Sequence, residues 1–111
     1  MEEDKYLPSF DIIMNAGNSR AQSMLAIEAA KEFRFDDAEK YLKQAEKELA
    51  KAHASQTQMI SSEASGNSVE VHIILVHSQD HLTMAMMAKD FAEELTEVYK
   101  MMYEMKENRE R

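Results

Sequence analysis

The stretch Ala38-Glu39-Lys40-Tyr41-Leu42-Lys43-Gln44-Ala45-Glu46-Lys47-Glu48-Leu49-Ala50-Lys51-Ala52 decides the fold. Its seam of Ala38, Leu42, Ala45, Leu49 and Ala52 continues through Gln56 and Met59, stepping alternately four and three. That 3.5-residue period belongs to helices in left-handed bundles, not to strands. Asp36 is the expected N-cap of this helix. Gly66 is the expected stop, in the left-handed conformation that glycine adopts freely. A helix over about residues 36–65 follows.

On the N-terminal side, Pro8 and Ser9 mark the entry to another helix, because proline is tolerated in a first turn. This helix is expected over about 9–33. It carries Ala16, Ser19, Ser23, Ala26 and Ala30 on one narrow face, which lets a second backbone approach closely. On the C-terminal side, Asn67 with Glu70 three residues on reads as a capping box for a third helix, over about 68–106. Its length of roughly 40 residues makes a rod of about 60 Å. The seam assigned to it is Ile74, His77, His81, Met84, Ala88, Phe91, Leu95, Val98, Met102 and Met105. Residues 69–76 are rich in β-branched side chains, but the helical period runs through them and no second strand exists to pair with them. The expected fold is therefore all-α: one domain over 1–111, an antiparallel three-helix bundle.

The chain has 111 residues, room for one modest core. Thirteen basic and 21 acidic residues leave a net charge of −8, which disfavours nucleic acid and anionic membrane surfaces as partners. The absence of cysteine excludes disulfides and thiolate metal sites, and fits a reducing cytoplasm. Neither a signal peptide nor a membrane-spanning run is expected. Two glycines and one proline suit long helices with few turns. Ten methionines read chiefly as core filling, with a Met-rich binding groove as the alternative. Around Ile73–Val76 the third helix is apolar on every side. In so small a protein that implies neighbours from other chains.

The chemistry-bearing segment is His77-Ser78-Gln79-Asp80-His81. His77 and His81, four apart, share one helix face, and Asp80 lies about 60° from His77 around the helix. A line of Ile73, Val76, Asp80, Thr83 and Met87 runs beside the histidines. Burying such polar groups unpaired costs several kcal/mol, so a partner, a metal, water or another subunit must satisfy them. Hydrogen-bonded packing histidines are one reading. Zinc hydrolysis is another, but the His-Glu-x-x-His motif needs Glu where Ser78 stands, and no Glu-x-x-His is present for a di-iron bundle. A third is a neutral imidazole that carries a phosphoryl group covalently. The chemistry permits this last reading without selecting it.

The run from Val71 to Thr83 closely resembles the active-site helix of enzyme IIA of the lactose/cellobiose (N,N'-diacetylchitobiose) family of the bacterial phosphoenolpyruvate-dependent sugar phosphotransferase system. Asn15–Arg20, Phe35–Lys40, Ala52–Thr57 and Ser62–Asn67 are similar to further segments of that family, so the resemblance covers about residues 9–100. It implies a cytoplasmic phosphotransferase component that works through a phosphohistidine. His77 matches the phosphorylated histidine, with Gln79 and His81 in supporting roles. Asp80 matches the residue that binds a structural divalent cation, Mg²⁺ or another, on the axis of a homotrimer (a nine-helix bundle). The implied partners are HPr, which supplies the phosphoryl group, and the cognate IIB and IIC sugar-transport proteins, which use it for disaccharide uptake. Cellobiose, chitobiose and lactose all stay open as the sugar, with a mild leaning to cellobiose.

This sequence departs from the family pattern at three points. Ser78 replaces the commoner Ala, and its hydroxyl is a candidate contact for the phosphoryl group. Phe33-Arg34-Phe35 stands where the first turn usually has glycine. His72 replaces a small hydroxyl residue and reads as packing or surface, as does His53 on the second helix. A competing class is a helical protein–protein interaction module without phosphotransfer, since residues 29–49 resemble one helix pair of a tetratricopeptide repeat. Such modules need about three repeats, and no second copy is present.

Overall fold

The computed structural model describes residues 2–110. A short 3₁₀ turn, Glu2–Tyr6, leads into α1 (Leu7–Lys31), α2 (Phe35–Ala64) and α3 (Ile73–Glu110), and no strand occurs among the described residues. Long helices joined by short turns make an elongated bundle of 66 × 24 × 19 Å. As expected from sequence, it is an all-α antiparallel three-helix bundle.

Helix α1 is the hub, packed along both α2 and α3, which meet each other much less. Its small-residue face explains this. Ser9, Ile12, Ala16, Ser19, Ser23, Ala26, Ala29 and Ala30 are all buried, and such short side chains let two helices lie close on either side. The Ser19 hydroxyl donates to the Ala45 carbonyl of α2 at 2.8 Å, a contact open only to a closely packed pair. On α2 the expected seam is buried from Ala38 to Ala52. Leu49, Ala52, Leu82 and Ala85 then close the main core over Ile12 and Ala16. Lys89 of α3 bridges to Glu46 of α2 at 2.6 Å and to Glu93 at 2.7 Å. These hydrogen bonds, Glu46 first, hold its ammonium pKa above the ordinary 10.5.

The inward face of α3 is not the expected seam. Ser78, Leu82, Ala85, Ala92 and Thr96 are buried, a line displaced by one residue from the assigned one. The physical reason is size. Small residues fit the narrow face of α1, so the bulky Met84, Phe91, Leu95, Val98, Met102 and Met105 are left outside. The methionines accordingly do not fill the core of the single chain. Met59 packs against it, whereas Met14, Met24, Met84, Met86, Met87, Met101, Met102 and Met105 are exposed.

Helix ends correct the sequence reading in detail. Arg34, not Asp36, is the N-cap residue of α2, and Asp36 and Asp37 lie in its first turn, where negative charge suits the helix dipole. Gly66, at φ 95°, stops α2 as expected. Its N–H donates to the Glu63 carbonyl and that of Asn67 to the Ser62 carbonyl, the paired bonds of a Schellman motif. Helix α3 begins at Ile73 rather than 68, so the Asn67–Glu70 capping box does not form and residues 67–72 are irregular.

Candidate functional site

Helix α3 sets the candidate residues at different angles around one turn and a half. His77 is exposed and His81 half-buried, and their Nε2 atoms lie 3.0 Å apart. The rings meet edge to face with centroids 4.4 Å apart. A contact of this kind requires one Nε2 to carry a proton and the other to offer a lone pair. The pair therefore presents a nucleophilic nitrogen and an N–H donor side by side at the surface.

Gln79 is held elsewhere. Two residues after His77 is about 200° around the helix, and its side chain meets α2. The Gln56 amide donates to Gln79 Oε1 at 2.6 Å, Gln79 Nε2 donates to Ser78 Oγ at 3.2 Å, and Ser78 Oγ donates to the Leu75 carbonyl at 2.6 Å. This chain clips α3 to α2 within the turn that bears His77. Ser78 is fully buried, so its hydroxyl serves the helix and does not face a phosphoryl group at His77. Sequence reasoning missed Gln56. Its place within the α2 seam, between Ala52 and Met59, where an apolar residue belongs, was the available signal.

Asp80 is exposed and makes no hydrogen bond or ion pair among the described residues. It interrupts a line of outward apolar side chains, with Ile73 79 % exposed, Val76 44 % and Met87 52 %. Among the described residues no group of three or more histidine or carboxylate side chains converges on a common point. A cation at Asp80 would need carboxylates from other copies of the chain. His53 is half-buried on α2.

His72 has a role that the sequence reading did not give it. Its Nδ1 accepts the Leu75 N–H at 3.1 Å and its carbonyl accepts the Val76 N–H at 3.1 Å, so His72 caps α3. The Tyr6 ring stands edge-on to it at 4.7 Å.

Residues 8–100 match the family model described as "PTS system, Lactose/Cellobiose specific IIA subunit". The chain belongs to this family. The lichenan-specific phosphotransferase enzyme IIA component of Bacillus subtilis is 42% identical over 106 residues, 96% of each chain. The crystal structure of the cellobiose-specific enzyme IIA from Bacillus anthracis superposes with a TM-score of 0.85 at 35% identity, covering 87% of this chain and 89% of that one. The IIA of the Escherichia coli N,N'-diacetylchitobiose branch, solved in complex with HPr, superposes with a TM-score of 0.77 at 29% identity, covering 89% and 96%. This IIA chain is thus a component of a sugar phosphotransferase system, and a peptide-binding repeat module is set aside. No described helix is long and apolar enough to cross a membrane.

Proposed function

We propose that this IIA protein is a cytoplasmic phosphocarrier that accepts a phosphoryl group from HPr on His77 Nε2 and passes it to a cognate IIB protein. The observation that carries the assignment is the His77–His81 pair, Nε2 to Nε2 at 3.0 Å with His77 exposed. In the resting pair the His81 N–H donates to the His77 Nε2 lone pair. As that lone pair attacks phosphorus in line, a bond forms from His77 Nε2 to phosphorus. The bond from phosphorus to its donor breaks, and its electron pair returns to the donor. The His81 N–H is then free to donate to a phosphoryl oxygen, stabilising the charge placed on His77. Transfer to IIB reverses these steps. No residue of this chain needs to meet the sugar, so discrimination rests with IIB and IIC. The relatives named for lichenan and cellobiose favour a β-glucoside branch.

The outward line Ile73-Val76-Asp80-Thr83-Met87 supports a homotrimer in which this face meets its copies about a three-fold axis. Three Asp80 carboxylates brought together repel one another. Their oxygens suit a hard divalent cation such as Mg²⁺, which would neutralise that charge as a structural element.

The test incubates the protein with HPr, enzyme I and phosphoenolpyruvate. Acid-labile phosphate on histidine is expected in the wild type and absent in His77→Ala. Absence of label from the wild type, or its persistence in the variant, overturns the assignment.

A further inference from the structure

Helix N-caps are commonly Ser, Thr, Asp or Asn, whose oxygens accept a hydrogen bond throughout the neutral range. Here the cap of α3 is an imidazole. Nδ1 of His72 accepts the Leu75 N–H at 3.1 Å, which it can do only while that nitrogen is unprotonated and the ring proton sits on Nε2. We propose that His72 is a positioning residue for His77: an acid-sensitive N-cap on the helix that carries the phosphoryl acceptor.

Two effects act with one sign. Protonating Nδ1 sets one N–H against another and removes the acceptor. It also places positive charge at the helix end whose dipole is already positive. The cap is therefore present while the ring is neutral and is lost when Nδ1 takes up a proton. Histidine is the side chain whose charge changes in the range of about pH 5–8.

The surroundings do not replace the bond. On the N-terminal turn, Tyr6 meets the ring edge-on, and Lys5 lies 3.6 Å from Glu70 with its ammonium 5.1 Å over the Tyr6 ring. Asp4 lies on the same turn and is exposed. On α2, Glu63 accepts the Val69 N–H at 3.3 Å. The charged groups on these neighbouring segments are the carboxylates of Asp4, Glu63 and Glu70 and the ammonium of Lys5. None of these contacts takes the Leu75 N–H, which becomes an orphan donor when the cap opens. His77 follows His72 by about one and a half turns. Fraying therefore loosens the turn immediately before the nucleophile.

The effect on transfer rests on His77 being the phosphoryl acceptor, whereas the cap does not. The test compares the full-length wild type with His72→Asn, a cap that does not titrate. NMR follows the protection factor of the Leu75 amide and the His72 ring nitrogens from about pH 7.5 to about pH 5.5. Phosphoryl uptake from HPr is measured in parallel. In the wild type, protection falls about fivefold, the factor matching the usual worth of an N-cap, and the Asn variant stays level. Uptake falls more steeply with acid in the wild type than in the Asn variant. An equal pH response of the Leu75 amide in the two proteins, or an Nδ1-protonated ring at about pH 7.5, overturns the cap. Altered protection with parallel uptake profiles overturns the positioning role. If neither protein takes up phosphate at any pH, the phosphocarrier reading fails and the positioning role with it, while the amide data still decide the cap.

Discussion

The two turns of the bundle use one backbone device with opposite side chains. Both close a helix with a Schellman pair of hydrogen bonds around a left-handed residue. At the site end that residue is Gly66, and six irregular residues follow before α3 begins. At the far end it is Phe33, φ 61°, and α2 starts two residues later. A left-handed phenylalanine costs roughly 1–2 kcal/mol. The far end offsets this by packing, because Phe33 lies 5.2 Å from Tyr103 and 6.1 Å from Phe35, with the Lys106 ammonium 5.6 Å from its ring centroid. Aromatic pairs of this kind contribute about 0.5–1.5 kcal/mol each beyond burial. Arg34 adds a fork, donating to Glu32 and Asp37 at 2.7 Å each. One end is locked by side chains and accepts strain. The other is unstrained, loosely connected and carries the His77–His81 pair.

Breaking each end should therefore give different kinds of loss. His77→Ala should remove all acid-labile phosphate, while Tyr103→Ala at the opposite end leaves labelling intact and lowers the thermal midpoint. Phe33→Ala keeps the strained backbone and loses the aromatic contacts, so denaturant unfolding should show a loss of about 2–3 kcal/mol. Phe33→Gly loses the same contacts but relieves the strain, and should be the milder change by about 1 kcal/mol. Gly66→Ala should cost about 1 kcal/mol, the same backbone penalty entered from the other side. Agreement between that cost and the Ala–Gly difference at position 33 would measure the penalty twice. A Phe33→Gly variant no more stable than Phe33→Ala would remove strain from the account. Off both turns, Asp80→Leu should keep or strengthen the proposed trimer, in which apolar packing would replace a ring of three carboxylates. Sedimentation showing monomers would refute an axial Asp80.

The small-residue face of α1 and the α2 seam were legible because each repeats a period over several turns. The facing of α3 was not. Its outward line is more apolar than its inward one, and hydrophobicity alone cannot say which line meets the same chain. What decides is fit to Ala16, Ser19, Ser23 and Ala26, a matter of size. Pairing of His77 with His81 followed from their spacing. The roles of Gln56, Ser78 and His72 did not. Each depends on a hydrogen bond whose partner is set by where a helix starts or by which neighbour it meets, and the start of α3 came five residues later than its apparent capping box.

Because α1 packs along both other helices while α2 and α3 meet much less, the order of assembly follows from the chain's direction. The α1–α2 hairpin has its partners close in sequence and can form while α3 is still being made. The helix that bears His77 then docks last, onto a surface already built. Substitutions in the α1–α2 seam should therefore slow folding, whereas those on the α3 face should chiefly hasten unfolding.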